Sequence, residues 1–85
     1  KKNQKYINQM RVVKSYFIKN INVNIFEFNL KYLIKFEYQH MEQTYKVDMF
    51  EVKSIDDLIE RIDSSYIEEI GKNFKGMKDQ LLKLY

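Results

Sequence analysis

The stretch FEFNLKYLIKFEYQH, residues 26–40, decides how this chain is read. Every even position from Phe26 to Tyr38 is large and apolar or aromatic, and every odd position but one is polar. A two-residue period is the mark of extended chain with one buried face. The exception is Leu33, apolar on the polar side.

Working outward, TYKVDMFEVK (44–53) alternates again, which predicts an antiparallel hairpin turning over residues 40–43. In that register Tyr38 lies beside Tyr45, Phe36 beside Val47 and Ile34 beside Met49 on one face. On the other face Glu37 meets Lys46 and Lys35 meets Asp48, two opposite-charge pairs. The partner strand runs out near Lys53, so residues 23–28 need another neighbour. A bend near Asn29, with a loop over 29–31, folds them back as a third strand and keeps Phe26 and Phe28 on the face of Ile34 and Tyr32. A single long strand over 26–40 is the alternative, well above the usual length of about five to six residues.

On the N-terminal side, Tyr6, Met10, Val13 and Phe17 fall at helical spacing with Ile7, Ile18 and Ile21 alongside. With Asn3 as a cap, they predict a helix over 3–19. On the C-terminal side, Ser54 with Asp57 three residues later opens a short helix. Ser64-Ser65 then start a long one carrying Ile67, Ile70, Phe74, Met77, Leu81 and Leu84. The expectation is a single α+β domain over 1–85: an N-terminal helix, a two- or three-stranded antiparallel meander, then a short and a long helix packed on the sheet.

Composition removes several classes of function. The absence of cysteine leaves no disulfide, thiolate nucleophile or zinc–thiolate site, and one histidine, His40, is too few for a histidine-based metal centre. His40 falls in the expected turn, and Ser54, Ser64 and Ser65 look like helix caps. No phosphate loop or nucleophile motif is present, so the expectation is no enzyme, no catalytic residue, no metal and no cofactor. No stretch of about 20 apolar residues predicts a membrane span. A cytoplasmic location is expected, with a removed signal segment or lipid tether left open because the sequence begins at Lys1. Heavy use of Lys, Ile, Asn and Tyr, with no Ala, Pro, Cys or Trp, points to an AT-rich genome.

Charge is segregated along the chain. Residues 1–35 hold eight basic residues against one acid, residues 36–70 three against ten, and residues 71–85 four against one. A basic first helix with Lys5, Arg11, Lys14 and Lys19 would suit nucleic acid. It would equally suit packing beside the acidic region. The acids Asp57, Glu60 and Asp63 fit a docking site for a basic partner. Helix-start dipoles and the pairs Asp57–Arg61 and Glu68–Lys72 explain much of the same pattern. A calcium loop would need a glycine-containing segment that is missing.

Lysines and aromatics interleave in KYLIKFEY, residues 31–38, as in a base-stacking platform. In the expected register the two types fall on opposite faces, which favours a sheet core. Leu33 then faces Phe50 with Val52 next along: either a bulge at Met49-Phe50 turns Phe50 and Val52 inward, or the three form a small apolar patch on the polar side. The seam Ile67, Ile70, Phe74, Met77 and Leu81 packs on the chain's own sheet or pairs two copies. Taken together, these features predict a small non-enzymatic module that binds another protein, through Leu33, Phe50 and Val52 or through Asp57, Glu60 and Asp63. By analogy of size and composition alone, inhibitors and regulators from phages and mobile elements are of this type. The alternative is a nucleic-acid-binding regulator, dimeric through its last helix.

Overall fold

The computed structural model describes residues 10–85. Four antiparallel strands of eight residues each form one sheet in sequence order: β1 (Arg11–Ile18), β2 (Ile21–Phe28), β3 (Lys31–Tyr38) and β4 (Met41–Asp48). A 3-10 turn (Met49–Glu51) leads to α1 (Ile55–Arg61) and then α2 (Ser64–Leu82). The α+β class and the two C-terminal helices stand as expected.

Two expectations are corrected. The first concerns the N-terminal helix over 3–19. Residues 11–18, RVVKSYFI, form a strand, and residues 3–9 lie outside the described residues. Val12, Val13, Tyr16, Phe17 and Ile18 are β-branched or aromatic, and such side chains lose rotamer freedom in a helix while fitting a pleated surface. The sheet next door supplies what a helix would lack, a ladder of partners running from Arg11↔Glu27 to Ile18↔Ile21.

The second correction is the number and register of the strands. The described residues form four, joined by two-residue turns at Lys19-Asn20, Asn29-Leu30 and Gln39-His40. Lys19, Asn20, Asn29, Leu30 and Gln39 have φ of 51°, 68°, 58°, 62° and 55°. Left-handed backbone at such positions gives the tight turn the same twist as the strands it joins. Tyr38 therefore meets Met41, and Lys31 meets Asp48, rather than the partners of a turn four residues wide. Phe28 meets Lys31 and Phe26 meets Leu33, rather than Tyr32 and Ile34. Because side chains alternate, a loop shorter by one residue sends Phe26 and Phe28 to the opposite face.

One face of the sheet is the core. Ile21, Val23 and Ile25 of β2, Ile34 and Phe36 of β3 and Met41 of β4 are buried against Ile62 and against Ile67, Ile70 and Phe74 of α2. Tyr16, Ile18, Tyr32, Tyr38 and Val47 close its border. Phe36 sits between the rings of Tyr45 (6.4 Å, edge-on) and Tyr66 (5.9 Å). Ser54 Oγ accepts from the Asp57 amide at 3.0 Å and starts α1. Asp63 Oδ1 accepts from the Tyr66 amide at 2.9 Å and starts α2, one residue before the serine pair. The molecule measures 41 × 32 × 20 Å, and its short dimension is that of one sheet and one helical layer.

Candidate functional site

Both helices cover the same face, so among the described residues the other face has no second layer. The register dictates what it carries. One row across all four strands reads Val12, Phe26, Leu33, Lys46. A β-bulge between Val12 and Lys14 shifts the ladder by one residue, and that shift sets Val12 opposite Phe26. Phe28 lies opposite Lys31, and Lys31 opposite Asp48. Met10 joins Phe26, Phe28 and Leu33 in lining two adjoining shallow grooves of about 360 and 320 Å³. The centre of this face is therefore apolar.

Polar side chains surround that centre and bind one another. Lys31 Nζ lies 2.9 Å from Asp48 Oδ1, and Lys35 Nζ lies 4.0 Å from Glu42 Oε1. Ser15 Oγ donates to Asn24 Oδ1 at 2.6 Å, and Asn24 Nδ2 donates to Glu37 Oε1 at 3.4 Å. Lys35 Nζ also sits 5.7 Å from the centroid of the Phe26 ring, a cation–π contact. Lys46 makes no ion pair with any described residue. Lys31, Lys35 and Lys46 balance Glu37, Glu42 and Asp48, so the face is close to neutral.

The residues singled out from sequence scatter. Leu33 lies on this face as expected, but opposite Phe26 and Lys46. Phe50, 83% exposed, sits in the 3-10 turn beyond β4, and half-buried Val52 follows it. The cross-strand patch Leu33–Phe50–Val52 therefore does not form. Asp57, Glu60 and Asp63 belong to the helical layer, away from the open face. Asp57 Oδ2 accepts from Arg61 Nε at 2.8 Å, which raises the Arg61 pKa, and Asp63 is the α2 cap. Glu60 is exposed.

The basic set divides as well. Lys5 lies outside the described residues. Arg11 pairs with Glu27 at 2.7 Å, Lys14 is exposed on β1, and Lys19 reaches Glu68 Oε2 at 2.7 Å. The Lys19 ammonium, rather than Lys72 four residues on, is the first cause of the lowered Glu68 pKa. Within the seam Ile67, Ile70, Phe74, Met77 and Leu81, the first three are buried in the chain's own core and the last two pack against it. His40 is exposed in its turn. No group of three or more His, Asp or Glu among the described residues is placed to hold a metal ion.

Sequence reasoning missed Met10, Val12, Phe26, Phe28 and Lys46. The available signal was spacing: Asn20, Asn29 and His40, residue types that tolerate left-handed backbone, recur about ten residues apart, which leaves eight-residue strands between the turns. Comparison of the chain with protein-family models, with curated proteins and with solved structures gives no match in any of the three.

Proposed function

We propose that this chain is a small non-enzymatic binding module that engages another protein through the open face of its sheet. The observation that carries the reading is the apolar row Val12–Phe26–Leu33, flanked by Met10 and Phe28, on a face that no helix among the described residues covers. Apolar side chains grouped on an exposed surface and rimmed by polar ones mark interaction sites. The balance of lysines and acids around the row suits the mixed charge of a protein partner better than a run of phosphates. Action as an inhibitor or regulator, of the kind phages and mobile elements direct at one host protein, fits the size and composition.

The test is a photo-crosslinking amino acid placed at Leu33 and, as a control, at Phe50, which is exposed elsewhere. In nuclease-treated extract a discrete protein adduct is expected at position 33 alone and is lost when Phe26→Glu is added. An identical adduct pattern at both positions, or an adduct indifferent to Phe26→Glu, sinks the assignment.

One observation favours a second reading. Phe26 and Phe28 share the open face with Lys31, Lys35 and Lys46, so aromatics and lysines are not segregated as the expected register had them. That combination can stack bases and neutralise phosphates. Glu37, Glu42 and Asp48 on the same face oppose it. Binding of single-stranded DNA with a steep salt dependence, flattened by Lys35→Gln and Lys46→Gln, would decide for this reading.

A further inference from the structure

On the helical side of the molecule, a cleft of about 350 Å³ opens between the β1–β2 turn and the middle of α2. We propose that it binds a small anionic amphiphile, with an apolar body against Ile21, Tyr38 and Phe74 and a carboxylate, phosphate or sulfonate among Lys19, Lys75 and Lys78. This site lies apart from the open face and does not depend on the protein-binding reading.

The cleft owes its space to Gly71. A Cβ added there would meet nothing within 4 Å, so no close approach of neighbouring groups requires a glycine. Glycine inside a helix is nonetheless less stable than alanine. Its neighbours Ile70 and Phe74 are buried, while position 71 leaves a gap over the core. One wall is aromatic: the Tyr38 ring stands 5.9 Å from that of Phe74, tilted by 33°. The volume is at the small end of ligand sites, enough for a short chain or a single ring.

The rim is cationic. Lys75 and Lys78 are three apart on one helix, adjacent on its surface, and neither pairs with an acid among the described residues. Lys19 joins them from the turn, held there by Glu68 at 2.7 Å. Three ammonium groups around an apolar floor leave two requirements together, a negative charge and an apolar body. A free anion meets only the first, and an uncharged chain only the second.

The experiment uses octyl phosphate, with inorganic phosphate, octyl glucoside and phosphatidylglycerol vesicles as comparison arms, followed by amide chemical shifts. Octyl phosphate below its micelle concentration is expected to move Asn20, Ile21, Tyr38 and Gly71–Lys78, with Kd on the order of 0.1–1 mM for a ligand this small. Inorganic phosphate and octyl glucoside should each bind at least about tenfold more weakly, since each lacks one of the two contributions. Gly71→Leu extends a side chain from an open Cβ position into the gap and should abolish the shifts while raising or preserving the melting temperature. Lys75→Glu with Lys78→Glu should weaken octyl phosphate alone. Glu68→Gln releases Lys19 and should tighten binding by about two- to threefold, the scale of an exposed ion pair. Equal binding of octyl glucoside, shifts centred elsewhere, no effect of Gly71→Leu in a folded variant, or binding to vesicles only would each overturn the proposal.

Discussion

Replacing Leu30 by glycine and, separately, by alanine tests the turn on which the whole open face depends. Leu30 is the second residue of the β2–β3 turn, with φ 62° and 62% exposure. Both substitutions remove the same leucine contacts, so their difference isolates the backbone. A residue with a Cβ pays about 1–2 kcal/mol in the left-handed region, and glycine does not. Glycine in turn loses about 0.4–1 kcal/mol more conformational freedom on folding. Leu30→Gly should therefore be more stable than Leu30→Ala by roughly 0.5–1 kcal/mol. At Lys31, where the chain has entered β3, the order should reverse: Lys31→Gly falls below Lys31→Ala by roughly 0.5–1 kcal/mol. The main-chain bond from the Met49 amide to the Leu30 carbonyl, 3.0 Å, survives in all four variants. Urea unfolding followed by circular dichroism reads the differences as midpoint shifts of up to about 1 M, at a denaturant slope near 1 kcal/mol/M. If Leu30→Ala matched or exceeded Leu30→Gly, the two-residue turn would be wrong. Phe26 and Phe28 would then lose their place on the open face.

Other consequences follow from the helical layer. Asp63→Ala should cost about 1 kcal/mol by removing the α2 cap, whereas Ser64→Ala should cost little, checked by the same denaturation. Phe74→Ala empties a site 1% exposed and should cost about 3–5 kcal/mol, a large share of the roughly 4–13 kcal/mol available to a chain of this size. Its effect should not change with protein concentration if the seam belongs to the chain's own core; a concentration-dependent melting temperature would place it between copies instead. Burial raises the pKa of Tyr16 and of Tyr66 above the ordinary 10.0. Both hydroxyls keep their protons in the fold when the unfolded chain has lost them. Their contribution is whole below pH 10 and disappears as pH rises through the folded values. Tyr16→Phe and Tyr66→Phe should each flatten the loss of melting temperature above that pH.

The C-terminal third of the chain was legible because local chemistry and global packing agree there. Ser54 caps α1, and Asp57 and Arg61 sit at pairing distance. The apolar repeat at Ile67, Ile70 and Phe74 describes a stripe that one sheet face can cover. Although Lys31 and residues 41–43 fall in expected turns that prove to be two residues wide, residues 32–38 and 44–48 were legible as strand from their alternation. Residues 11–18 were not, because Val13 and Phe17 satisfy a helical spacing and the pairing with β2 lies ten or so residues away in sequence. A helical period is a local property, and the ladder that overrides it is not. Charge pairs misled the β3–β4 register for a related reason. Lys35 finds an acid in either register, Asp48 in the expected one and Glu42 in the observed one, while Glu37–Lys46 gives way to Lys31–Asp48. Exposed pairs worth under about 1 kcal/mol are too weak to select between them. Turn geometry, which accepts two residues and left-handed φ, selects instead.

That weakness of charge against backbone explains why Leu33 breaks the alternation. In the register with wider turns, the even positions of 26–38 form one continuous apolar face and Leu33 is a lone exception. In the two-residue register the even positions divide. Tyr32, Ile34, Phe36 and Tyr38 go to the helices, and Phe26 and Phe28 go to the other face, where Leu33 already points. Leu33 is then one member of a group, directly opposite Phe26, and no longer an anomaly in a polar row. Among the described residues, both helices lie on one side of a single sheet and cover only that face. The same two residues that tighten the β2–β3 turn thus determine which aromatics build the core and which are left at the surface for a partner.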